Sequence, residues 1–178
     1  RPLDLVVFGD YGAPNDSSRA VAARLAAEAP RLLVTTGDNA YLVTLPQLLD
    51  ELIFRPLAPV LGGAPSYGTV GDHDVVFAEG QRALAEAFEW PGNGDRYDLR
   101  YGPVQVVAIG LRADADDVAF VPRALARPGP LARLLVMHQP IKEGNPLLPV
   151  IAGGEVTAVL AGHLRAYERR EVADAPGV

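Results

Sequence analysis

Residues 3–39 read LDLVVFGDYGAPNDSSRAVAARLAAEAPRLLVTTGDN, and their order decides which class of fold the chain can adopt. Leu3–Phe8 is a short apolar run of strand length. Asp16-Ser17-Ser18 is a helix start signal, and the alanine-rich body behind it predicts a helix over Ser17–Ala29. Leu32–Thr35 is a second strand. Strand, helix and strand in close succession make a parallel unit. The pattern continues with a helix over Leu45–Phe54, Pro46 standing in its first turn, then a strand at Ser66–Val70 and a helix at Gly80–Phe88. Further on, Arg96–Tyr101 and Val104–Ile109 flank Gly102-Pro103 as a hairpin does. Leu134–Met137, Val156–Leu160 and Tyr167–Val172 are further strands. Arg112–Arg133 and Pro140–Gly154, rich in Asp, Pro and Gly, read as loops or short helices. With no repeat, low-complexity tract or linker, the expectation is one α/β domain over residues 1–178 containing two packed sheets.

The bulk composition narrows the function classes. The 178 residues are 49% hydrophobic and 21% charged, with a mean hydropathy of +0.12, as in an ordinary soluble domain. No apolar run approaches the roughly 18 residues of a membrane span, so no membrane partner is expected. A net charge of −6 and a pI near 5.0 leave no broad footprint for nucleic acid. They do not exclude a phosphate substrate, because a bound cation can dominate the local field. The absence of cysteine rules out disulfides and thiolate metal sites. Lys142 is the only lysine. The chain opens on Arg1-Pro2 without a visible signal segment, which is expected of a soluble chain that is secreted or trimmed.

Three strands end alike, in VVFGD at Asp10, VTTGDN at Asp38 and GTVGDHD at Asp72. A fourth glycine precedes His163. Open α/β sheets bind ligands just beyond the carboxyl ends of their strands, and glycine there removes the Cβ that would obstruct an ion or phosphate. Carboxylates gathered in one crevice repel one another unless a cation joins them. The only histidines are His73, His138 and His163, and all fall at strand ends. Imidazole together with carboxylate suits zinc, iron or manganese better than calcium. Any one Gly-Asp is ordinarily a turn or cap, and any one histidine a structural residue; it is the ordered combination that points to a metal centre.

In order, these segments resemble the purple acid phosphatase pattern D-x-G, G-D-x-x-Y, G-N-H-[DE], V-x-x-H and G-H-x-H of the calcineurin-like metallophosphoesterases. Here they read Asp10-Tyr11-Gly12, Gly37-Asp38-Asn39-Ala40-Tyr41, Gly71-Asp72-His73-Asp74, Val136-Met137-His138 and Gly162-His163-Leu164-Arg165. The valine of the fourth stands one residue late. Tyr167-Glu168-Arg169 and the stretch from Tyr97 to Gly102 also look like that family, so the likeness spans Asp10 to Arg169. The resemblance implies a metallophosphoesterase-like four-layer sandwich and a two-metal site. Asp10, Asp38 and Tyr41 would bind one ion, with Asp38 bridging to a second held by Asp72, His138 and His163. His73 would contact substrate or leaving group. The implied chemistry is hydrolysis of a small phosphate mono- or diester by a metal-activated hydroxide, with one or two ions of iron, zinc or manganese.

Two positions break the pattern. Asp72 stands where the family has asparagine, which adds a stronger oxygen ligand. Arg165 stands where the family has the second histidine of G-H-x-H, and a guanidinium has no lone pair to give. The first ion thereby loses its imidazole, while the second keeps a full set in Asp38, Asp72, His138 and His163. Arg165 is read either as turned into the site, binding substrate and replacing part of a cation's charge, or as a solvated side chain. The family's further histidines after the fourth motif are missing from Gln139–Pro149. The alternative to an enzyme is a domain of this fold that binds metal or phosphate with little catalysis. A covalent aspartyl phosphatase using Asp10 fits worse, since Gly12 replaces its second aspartate and the three histidines go unused. Substrate and oligomeric state are left open.

Overall fold

The strand Leu32–Thr36 is buried along its whole length, which requires a sheet covered on both faces. The computed structural model describes residues 3–92 and 94–171. In it β1 (Leu5–Phe8), β2 (Leu32–Thr36) and β3 (Ser66–Thr69) form a parallel sheet in that order, with Leu5 opposite Leu32 and Val34 opposite Tyr67. A second sheet runs β4 (Tyr97–Tyr101), β5 (Val104–Ala108), β6 (Ala132–Val136) and β7 (Ala158–Leu160). The β4–β5 pair is the expected antiparallel hairpin, and β5, β6 and β7 are parallel. Gly102 turns the hairpin at φ 58°, a conformation that costs glycine least.

Alternation of side chains along each strand then sorts the layers. Leu32 and Val34 from one sheet meet Val106, Leu134 and Val136 from the other in a buried cluster between the sheets. Leu33 points the opposite way, into the outer helices with Ile53, Leu57 and Leu84. Val107, Leu135 and Met137 likewise pack outward against Val121, Leu125 and Ile151. The fold is therefore the expected α/β arrangement of two packed β-sheets flanked by helices.

The helices depart from expectation in informative ways. α1 (Asp16–Ala27) starts from Asn15, whose side chain accepts from the Ser18 N–H while the Ser18 hydroxyl accepts from the Asn15 N–H. This reciprocal cap satisfies two orphan donors. The helix expected over Leu45–Phe54 is instead a 3₁₀ turn at Pro46–Leu48, a π turn at Asp50–Phe54 and then α2 (Arg55–Leu61). Pro56 and Pro59 lack the N–H a continuing helix would use. The chain turns helically through them because Ile53, Leu57 and Val60 fall on one buried face. α3 (Ala78–Ala87) follows. The Arg112–Arg133 segment holds an 11-residue helix, α4 (Ala115–Leu125), capped by Asp114 and Asp117 in the same reciprocal manner. Arg96 fixes its start, with Nε 3.0 Å from Asp117 and Nη2 3.0 Å from Asp114. α5 (Leu148–Ala152) is short. The strand expected at Tyr167–Val172 does not form over residues 167–171, which pair with no sheet, and Val172 lies outside the described residues. Among the described residues no helix is long and apolar enough to cross a membrane.

Candidate metal centre

Because β1, β2 and β3 are parallel, the Gly-Asp pairs that follow them emerge at one edge of the sheet. Asp10 and Asp38 leave their strands at φ 55° and 53°, and the Asp10 N–H donates to the Gly37 carbonyl at 3.0 Å. Such left-handed residues are uncommon outside glycine, and functional sites gather them. Gly37 itself sits at φ 91°, and a Cβ there would come within 2.6 Å of His138 Nδ1. A Cβ on Gly71 would collide with the Asp38 carboxylate. The glycines noted in the sequence thus make room for the ligand side chains themselves.

The second sheet brings the imidazoles. His138 follows β6 and is fully buried. Its Nδ1 lies 2.7 Å from the Thr36 carbonyl, so it donates there and turns Nε2 toward the carboxylates as the nitrogen a metal would take. That Nε2 is 3.0 Å from Asp72 Oδ1 and 3.5 Å from Asp38 Oδ1. His163 Nδ1 is 3.0 Å from the same Asp72 oxygen and 3.3 Å from His138 Nε2. An ion with bonds of about 2.1 Å spaces its ligands about 3.0 Å apart in an octahedron and about 3.4 Å in a tetrahedron. The separations seen here match that range. Without a cation, the hydrogens of the two imidazoles alone would have to hold these three atoms together. The donor set fits a bound ion. Burial opposes charge on Asp72, but the hydrogen bond from His138 leads the effects that outweigh it, and the carboxyl lies below its usual range.

Asp10, Asp38 and Tyr41 lie beside this cluster, joined differently. The Tyr41 hydroxyl is 2.9 Å from Asp38 Oδ2 and 3.1 Å from Asp10 Oδ1. Burial first, and then the bond to Asp38, hold the phenol well above its ordinary pKa. Arg165 is exposed but lies over the rim of the site. Its Nη2 donates to the Tyr41 hydroxyl at 3.0 Å, its Nε is 3.8 Å from Asp10 Oδ1, and its guanidinium carbon lies 4.9 Å from the Tyr41 ring centre. His73 stands at the rim, where its Nδ1 donates to the Leu42 carbonyl at 3.0 Å and its ring packs 4.5 Å from Tyr41. Its Nε2, 3.9 Å from Asp72 Oδ2, is left free. Every site residue expected from the sequence is in this one place. A cavity of about 560 Å³ lined by Phe54, Leu61, Ser66 and Phe88 lies at the opposite end of β3.

Asp74 lies within the third motif, but the sequence alone gives it no role. It is fully buried and accepts from the Asn39, Ala40 and Gly71 N–H groups, the Asn39 amide and the Thr44 hydroxyl. It thereby ties the Asp38 loop to the Asp72 loop. The available signal is its position after a histidine on a strand end, but only the fold shows five donors converging on it. Alanine at 74 would orphan them, and the expected cost is about 3 kcal/mol or more. Asp74→Asn, which keeps one acceptor oxygen, should cost roughly half as much by the same reasoning. Urea midpoints of the two variants check this, and equal midpoints would refute it. Burial raises the Asp74 carboxyl. Its contribution to stability is therefore complete below the unfolded carboxyl pKa and declines as pH rises through the raised value.

No protein-family model and no curated protein sequence matches the chain. Solved structures do. GAP50, the anchor in the inner membrane complex of Plasmodium, is similar with a TM-score of 0.67 and 16% identity, over 90% of this chain. The chain spans 65% of that protein's length. TT1561 of Thermus thermophilus is similar with a TM-score of 0.63 and 12% identity, over 90% of this chain and 81% of that one. A hypothetical protein from the same organism follows with a TM-score of 0.62 and 21% identity, over 90% of this chain and 68% of that one. Likeness at this identity establishes the shared fold.

Proposed function

We propose that the chain is a metal-dependent phosphoesterase whose principal ion is held by Asp38, Asp72, His138 and His163. The observation that carries this reading is the convergence of Asp72 Oδ1, His138 Nε2 and His163 Nδ1 within 3.0–3.3 Å of one another at the ends of parallel strands. When bound, such an ion supplies a Lewis acid for a phosphoryl oxygen and lowers the pKa of a coordinated water. The chain's own residues do the rest. Thr36 fixes the His138 tautomer through its carbonyl. His73, with Nδ1 donating to Leu42, presents Nε2 at the rim, and in the imidazolium form can hand its Nε2 proton to a leaving oxygen. Arg165 presents a guanidinium at the open rim, where a phosphate would approach.

A second reading, a domain that binds metal or phosphate with little turnover, is favoured by Arg165 standing among would-be ligands. The similar protein GAP50 is described as an anchor. Hydrolysis of a chromogenic aryl phosphate, with manganese, zinc or iron added after chelation, separates the two. The expected result is turnover that a chelator abolishes and metal restores. Full metal occupancy without turnover would establish the second reading, and failure to bind any metal would overturn both.

A further inference from the structure

We infer that Arg165 makes this a one-ion centre, its guanidinium serving as the cation for the Asp10–Tyr41 side of the cluster. The inference rests on the metal reading proposed above and concerns how many ions the site holds. The two halves of the cluster are built unlike each other. Around Asp72 the neighbouring groups are two imidazole nitrogens, at 3.0–3.3 Å, spaced as the ligands of one ion are. Around Asp10 a guanidinium already stands, although the one Tyr41 hydrogen is shared between Asp10 and Asp38. Asp10 Oδ2 accepts from the His163 N–H at 3.0 Å. Asp10 Oδ1 meets the Tyr41 hydroxyl at 3.1 Å and Arg165 Nε at 3.8 Å. The Tyr41 oxygen in turn accepts from Arg165 Nη2 at 3.0 Å.

The backbone commits Arg165 to that place. His163 and Arg165 both sit at positive φ, 69° and 51°, and the Leu164 N–H closes the turn on the Gly162 carbonyl at 2.8 Å. The turn sends the His163 ring to Asp72 and the guanidinium over Tyr41. Charge points the same way. Asp10, Asp38 and Asp72 are balanced by one divalent ion and one guanidinium. Two divalent ions beside the same arginine would leave net positive charge and would need Tyr41 to exchange its hydrogen bonds for a metal bond.

Metal stoichiometry tests this without reference to turnover. Chelated protein titrated with manganese, free ion being followed by paramagnetic resonance, should take up one ion per chain. Arg165→His, which removes the guanidinium and offers an imidazole, should take up a second and show the spin coupling of a manganese pair. Arg165 is an exposed rim residue, so its replacement does not threaten the fold. Asp10→Asn in the wild-type background should still hold one ion. Two ions in wild type, one in Arg165→His, or none in Asp10→Asn would each overturn the inference while leaving the phosphoesterase reading standing. No ion in wild type would overturn that reading and this inference together.

Discussion

Replacing His138 with alanine is expected to weaken metal binding by more than about 100-fold, since residues that merely orient a metal ligand already contribute roughly 10–100-fold. His138 is the hinge of the donor set. Its Nε2 approaches Asp38, Asp72 and His163 at once, and its Nδ1 is spent on Thr36. The substitution also leaves the Thr36 carbonyl without its partner in a dry interior, so some loss of stability accompanies it. His163→Ala separates the two effects, because that ring is more than a third exposed and has little packing to lose. Both variants should lose bound manganese by elemental analysis, His163→Ala with an unfolding midpoint no lower than that of chelated wild type. Metal content equal to wild type in both would remove the assignment.

His73→Ala should behave in the opposite way, keeping its metal and losing turnover by about 10²–10⁴-fold, the span typical of a general acid or base. The geometry predicts this split. His73 is held by the Leu42 carbonyl and the face of Tyr41, and its free nitrogen stays 3.9 Å from the Asp72 carboxylate. Substrates with a good leaving group need less protonation, so an aryl phosphate should be affected less than an alkyl phosphate. An equal loss on both substrates would make His73 a binding group instead, and no loss would make it structural.

What could be read from the sequence follows the strength of local signals. Strand-helix alternation and the Gly-Asp strand ends are local patterns that pointed to Asp10, Asp38 and Asp72, while the family resemblance supplied Tyr41 and Arg165. The direction of Arg165 could not be read, since an arginine on a loop is solvated unless a turn at positive φ aims it. Asp74 escaped for a related reason, because four of its five donors come from a loop more than 25 residues away in sequence. The helix through Pro56 and Pro59 was hidden by residues that ordinarily end one, and tertiary burial of Leu57 and Val60 overrode them. The strand expected near Tyr167 pairs with no sheet among the described residues.

The proposed ligands divide between the sheets, with Asp38 and Asp72 following strands of the first and His138 and His163 following strands of the second. An ion shared by both would be a rivet through the seam that Val34, Val106 and Val136 otherwise hold by packing, helped by hydrogen bonds such as Tyr97 to Gly68. Affinity for that ion would then be a gauge of alignment. A substitution buried in the seam, far from any ligand, would register first as a looser metal, because sliding one sheet against the other by a fraction of an ångström stretches bonds that tolerate little error. By the same linkage, a chelator would act on this molecule as a mild denaturant directed at the joint between its layers.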